Sequence, residues 1–161
     1  MGGFIVQHYL QKHPSANIKK AVLLCSVPAS GISGATWQVI KAYPFAFLQA
    51  LFTFSFKPVF NSKAKAKKLM FAPSVSDALI DEVVSRMQDE SFRAYLDMML
   101  LNLPERKPSS IPLLMIGGEE DFLIRKQSLQ RNAQQLGAEL VMMKGGHNMN
   151  LEEGWEVVAL R

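Results

Sequence analysis

Residues 109–121 read SSIPLLMIGGEED, and this stretch decides the fold. An apolar run from Ile111 to Ile116 stops at two glycines, and acids follow at once. A short unbroken apolar run ended by turn residues is the pattern of a parallel strand covered on both faces, because a half-solvated strand would alternate. The pattern predicts a strand near 111–117, and it recurs twice. AVLLC at 21–25 runs into SVP, and AELVMM at 138–143 runs into KGGH. Between the last two runs, QSLQRNAQQLG sets Leu129, Ala133 and Leu136 on one helical face, with Gly137 as the C-cap. Ahead of the first run, residues 2–13 read as a helix whose apolar side is Phe4, Ile5, Tyr9 and Leu10, stopped by Pro14. NLEEGWEVVALR closes the chain as a further helix. Strands alternating with helices predict an α/β fold built on a parallel sheet.

Composition bounds what this sheet can serve. The chain has 161 residues, 48% apolar and 20% charged, as in an ordinary globular domain with a core of its own. A net charge of +4 without a concentrated patch argues against nucleic acid as a partner. The one cysteine, Cys25, lies inside an apolar run, reads as a buried strand residue and can form no internal disulfide. The N-terminus shows no basic stretch leading into an apolar run, so a cytoplasmic location is expected. No metal-ligand spacing and no cofactor motif stand out, so neither a metal nor a cofactor is expected.

Residues 34–110 break the alternation. They include the aromatic run YPFAFLQALFTFSFKPVF, pass through the lysine cluster NSKAKAKK and end in two amphipathic helices. The first carries Leu79, Ile80, Val83, Val84 and Met87, with SVSD from Ser74 as its capping box; the second carries Phe92, Tyr95, Leu96, Met99, Leu100 and Leu103. A helical insertion between two strands of a parallel sheet reads as a cap over the sheet's carboxyl end, where such sheets bind ligands. The uncharged stretch from Ala42 to Phe56 falls short of the ~20 apolar residues that cross a bilayer, so no transmembrane segment is expected. Within it, Phe52 and Phe54 are candidates for the lining of an apolar substrate pocket.

The chemistry gathers at the strand ends. Asp121 follows the 111–117 strand, with Gly118 read as letting the chain turn off it. His147 follows the 138–143 strand after two glycines. A carboxylate that accepts from one imidazole nitrogen fixes the tautomer and leaves the other nitrogen to act as a base, given a nucleophile within reach. Glu119 and Glu120 compete for the acid role; the spacing from the glycine and the apolar FLI behind favour Asp121. His8 and His13 read as helix-surface residues.

These segments resemble the α/β-hydrolase superfamily over nearly the whole chain. MGG leading into FIVQHYLQKHP resembles the part of the nucleophile elbow that follows the serine of G-x-S-x-G, MIGGEEDFLI resembles the acid strand, and KGGHNMNLEEGWEVVA resembles the histidine loop. The resemblance implies a partial α/β-hydrolase fold of about three parallel strands, with 1–33 and 111–161 as the C-terminal part of the core and 34–110 as a helical lid. It implies Asp121 and His147 as catalytic acid and base, and the backbone N–H of Met1 as one oxyanion donor. The serine, the strand that bears it and the other oxyanion loop have no counterpart in these residues. The implied activity is hydrolysis of carboxylic esters, thioesters or lipids through a Ser-Asp-His triad in a full-length parent. The chain by itself is expected to be inactive, marginally stable and prone to self-association along a bare sheet edge. The alternative is a non-catalytic fragment that binds an apolar ligand, a membrane surface or a partner chain through its Phe-rich segment.

Overall fold

Three apolar runs bounded by turns become three strands: β1 (Ala21–Leu24), β2 (Leu113–Gly118) and β3 (Glu139–Met143). A computed structural model describes residues 1–14 and 17–160. The strands form one parallel sheet in the order β1-β2-β3, with Ala21 beside Leu113 and Leu114 beside Glu139. Only β2 is buried along nearly its whole length. As edge strands β1 and β3 are covered less: Val22 is 55% exposed and β3 is half-buried, so full burial on both faces holds for the central strand alone.

Helix α1 (Gly2–Lys12) packs on the face that it shares with α8 (Lys126–Leu136), where Phe4, Leu10, Leu23, Met115, Leu129 and Leu136 form the main core. Periodicity misplaces two residues of α1. Ile5 and Tyr9 point outward, and the inner face is Phe4, Gln7 and Leu10. A buried glutamine is tolerated there because its Nε2 donates to the carbonyls of Gly3 and Val27, 3.1 and 2.9 Å away. His8 is half-buried, with Nε2 2.9 Å from the Asn102 carbonyl oxygen, and His13 is exposed. Helix α8 ends at Gly137 with φ of 63°, a left-handed cap. The opposite face of the sheet carries Cys25, Ile116 and Met149, over which Val158 of α9 (Trp155–Ala159) packs.

Between β1 and β2 the chain forms only helices: α2 (Ser33–Ala42), α3 (Pro44–Thr53), α4 (Lys57–Phe60), α5 (Lys63–Met70), α6 (Asp77–Arg86) and α7 (Phe92–Leu96), the last running into a π turn at Asp97–Leu101. This segment has clusters of its own, one around Val39, Ala50, Val59 and Leu69 and another around Ala66, Phe71 and Ile80. Lys63 reaches Asp81 at 2.6 Å and Lys67 reaches Asp77 at 3.0 Å, tying α5 to α6. Ser76, not Ser74, caps α6 by accepting from the Leu79 N–H. That leaves Asp77 in the first turn, where the helix dipole favours an acid.

Candidate active site

The carboxyl ends of β2 and β3 place an acid against an imidazole. Beyond β2 the chain bends through Glu119 and Glu120, both exposed, and turns Asp121 inward. The Asp121 side chain is fully buried. Its Oδ1 accepts from the backbone N–H groups of Leu123 and Ile124 at 2.8 and 2.9 Å, which fixes the carboxylate in the turn that FLI follows. Its Oδ2 lies 2.9 Å from His147 Nδ1. A carboxylate can only accept, so in the neutral imidazole Nδ1 carries the proton and Nε2 carries the lone pair. Of the three neighbouring acids, Asp121 is the one that meets the histidine.

Gly118 serves this geometry through close approach. Its φ is not in the left-handed region, so the turn off the strand does not require glycine. A Cβ at Gly118 would stand 2.5 Å from both the Gly145 and the Gly146 carbonyl oxygens, so the missing side chain lets the histidine loop lie against the end of β2. Glu119 N–H then donates to Met143 O at 2.8 Å and Glu120 N–H to Gly145 O at 3.0 Å, stitching the two loops together.

The histidine loop is also tied to the helical segment by a residue that sequence reasoning missed. Glu152 is buried, and its Oε1 accepts from Ala72 N–H at 2.9 Å and from Gly146 N–H at 3.1 Å. Nearby, Asn148 N–H donates to Met70 O at 2.8 Å. Nothing local marks Glu152 apart from its exposed neighbour Glu153; its partners come from 80 and 6 residues away. Glu152→Ala strands two buried donors, each worth on the order of 1–3 kcal/mol. Urea denaturation of the chain is expected to show a loss of at least ~2 kcal/mol for Glu152→Ala and almost none for Glu153→Ala.

His147 lines an open cavity of about 630 Å³ between the helical segment and the carboxyl end of the sheet. Met1 lines it too, so the structure brings Met1 and His147 to one space, with Asp121 behind the imidazole. Phe52 and Phe54 are not brought there. They are 77% and 70% exposed, and the phenylalanines that line the cavity are Phe47, Phe56 and Phe60. One buried polar pair interrupts the apolar wall, Tyr95 OH and Thr36 Oγ1 at 3.1 Å. Burial raises the Tyr95 phenol above its ordinary range, so the pair is neutral.

Cys25 sits just past β1 at φ of 42°, with Sγ 3.7 Å from the Gly146 carbonyl oxygen. Burial first, and the Asp121 charge second, push its pKa up to about 12. It stays a thiol at neutral pH and is a poor nucleophile. Among the described residues, no group of three His, Cys, Asp or Glu side chains is placed to hold a metal, and no helix is long and apolar enough to cross a membrane.

No family model and no curated protein matches the sequence. Solved structures do match it. The 2-hydroxy-6-oxo-6-phenylhexa-2,4-dienoate hydrolase of Rhodococcus sp. strain RHA1 aligns over 99% of this chain and 59% of its own, at 16% identity and a TM-score of 0.61. The enol-lactonase of Burkholderia xenovorans LB400 aligns over 99% of this chain and 59% of its own, at 19% identity and a TM-score of 0.60. An esterase of Exiguobacterium antarcticum aligns over 98% and 61%, at 14% identity and a TM-score of 0.59. The chain thus spans about three fifths of the length of these proteins, as expected for a partial fold. Parallel order, the helical segment between β1 and β2, and these neighbours lead to one conclusion: the chain has the α/β-hydrolase fold.

Proposed function

We propose that this chain is the C-terminal part of a hydrolase that transfers an acyl group to water through a covalent acyl-enzyme. The observation that carries the reading is the 2.9 Å contact of Asp121 Oδ2 with His147 Nδ1, the imidazole lining a largely apolar cavity. In this reading a serine directly ahead of Met1 is the nucleophile. His147 Nε2 takes its proton as it attacks the ester carbonyl, then returns that proton to the leaving alcohol. Asp121 holds the ring and stabilises the imidazolium that forms. The Met1 peptide N–H supplies one oxyanion donor, worth ~10²–10³ in turnover in such sites. Residues 34–110 act as the lid, and its apolar lining selects carboxylic esters, thioesters or lipids with an apolar acyl part.

The test is complementation. Purified alone, the chain should leave p-nitrophenyl butyrate at the buffer rate. Joined behind, or co-expressed with, an upstream half that carries the nucleophile strand and Gly-x-Ser, it should turn the ester over. In that setting the free edge of β1 receives the nucleophile strand. A properly folded joined protein with no activity toward esters or thioesters of any chain length would end this reading.

A further inference from the structure

All 14 acidic residues of the chain lie at or beyond Asp77, so the helices from α2 to α5 carry six lysines and no carboxylate of their own. Helix α3 is uncharged and apolar on both sides. Its inner side buries Ala50 and turns Phe47 to the cavity. Its outer side leaves Phe45 85%, Leu48 49% and Phe52 77% exposed, three residues at helical spacing, with Phe54 70% exposed just past its end. Globular surfaces seldom leave such a ridge unless it meets something.

Cations collect at one end of this ridge. Lys65 and Lys68 place their Nζ atoms 5.8 and 5.5 Å from the ring of Tyr43, the half-buried residue just ahead of α3. Lys41 lies 5.2 Å over the half-exposed ring of Trp37. Lys63 and Lys67 are paired with Asp77 and Asp81, whereas Lys41, Lys65 and Lys68 have no carboxylate partner among the described residues; Lys65 Nζ donates instead to Pro58 O and Asn61 Oδ1 at 2.7 and 3.0 Å, and Lys68 Nζ also lies 5.9 Å from the Phe122 ring.

We propose that α3 is an interfacial anchor that docks on an anionic lipid bilayer. Phe45, Leu48, Phe52 and Phe54 enter the boundary between headgroups and acyl chains, and Lys41, Lys65 and Lys68 stay among the phosphates. With 10 residues, α3 lies in the interface and does not span it. A second copy of the chain could cover the ridge but would bring no anionic partner to the lysines, and the sedimentation arm below tests it. The proposal concerns the outer side of α3 and holds whether or not the triad reading does.

The test uses the full chain and vesicles of phosphatidylcholine with and without phosphatidylglycerol. Co-sedimentation with the mixed vesicles, weakened by salt and accompanied by a blue shift of Trp37 emission in a Trp155→Phe background, is the expected result. Phe45→Ser with Phe52→Ser should weaken binding at least tenfold, since each apolar side chain contributes more than a CH₂. Changing Lys41, Lys65 and Lys68 to glutamine should cost roughly fivefold per lysine. Salt acts on the unaltered protein, so this arm does not depend on how any variant folds. The proposal is overturned if neither vesicle binds the chain, if both bind it equally at every salt concentration, or if the Phe45/Phe52 changes dissolve a lipid-free dimer in sedimentation velocity.

Discussion

His147→Ala, in the chain joined to its nucleophile half, is expected to lower kcat by ~10⁴-fold or more with KM little changed. His147 is one lining residue among many, and the rest of the cavity wall is unchanged, so most of the substrate binding should persist. What disappears is the acceptor for the nucleophile's proton, and triad members fail as a unit. Asp121→Asn should be damaging but milder than loss of the imidazole. An amide at that position can present its NH₂ to Nδ1 and hold the wrong tautomer, yet the ring stays in place. Glu119→Gln and Glu120→Gln should be close to neutral, because both side chains are exposed and neither reaches the ring. Steady-state kinetics on one ester measures all four. Activity that survives His147→Ala would place the chemistry elsewhere.

Gly118→Ala should show the second largest effect, on two readouts at once. The added methyl would meet two backbone carbonyls at 2.5 Å, and backbone cannot swing aside as a side-chain tip can. The histidine loop has to shift, at a cost of about 1–3 kcal/mol in stability. A displacement of ~1 Å in a catalytic group costs ~10²-fold in rate. Gly117→Ala is the matched control. Its Cβ would meet Leu129 Cδ1 at 2.3 Å and Met142 Sδ at 3.0 Å, which are side-chain atoms that can yield. Urea titration of the chain and kcat of the joined protein should therefore separate the two glycines, Gly118 losing both and Gly117 keeping most of its rate.

The sheet was readable because its signals are local. A run of four to six apolar residues bounded by turn residues is too short for most helices and fits a strand, and the strands lie within about two residues of the expected bounds. Asp121 and His147 were readable for the same reason, since each sits a fixed step beyond a strand. What stayed hidden depends on distant partners. The stretch from Tyr43 to Phe60 is apolar in nearly every direction, so no periodicity could say that Phe47, Phe56 and Phe60 face the cavity while Phe45, Phe52 and Phe54 face out. Phe54 breaks the run at φ of 52°, a conformation its own sequence does not announce. Gln7 can be buried in α1 only because Val27, 20 residues on, supplies a carbonyl that pairs it. Glu152 and Glu153 are adjacent acids, and only the fold separates them, by bringing the Ala72 N–H, 80 residues away, to Glu152.

The register of the sheet also sets a sequence of assembly. Ala21 pairs with Leu113, 92 positions later, whereas Leu114 pairs with Glu139, only 25 later (113 − 21 and 139 − 114). Closing the longer loop costs about 1 kcal/mol more chain entropy, and the shorter one holds a helix that forms locally. β2, α8 and β3 therefore constitute the early unit, and β1 with the helices behind it arrives late. Pulse-labelled hydrogen exchange during refolding should protect the Glu119 amide, bonded to Met143 O, before the Cys25 amide, bonded to Ile116 O. Until that last pairing forms, the hydrophobic edge of β2 is the nascent molecule's most exposed route to aggregation.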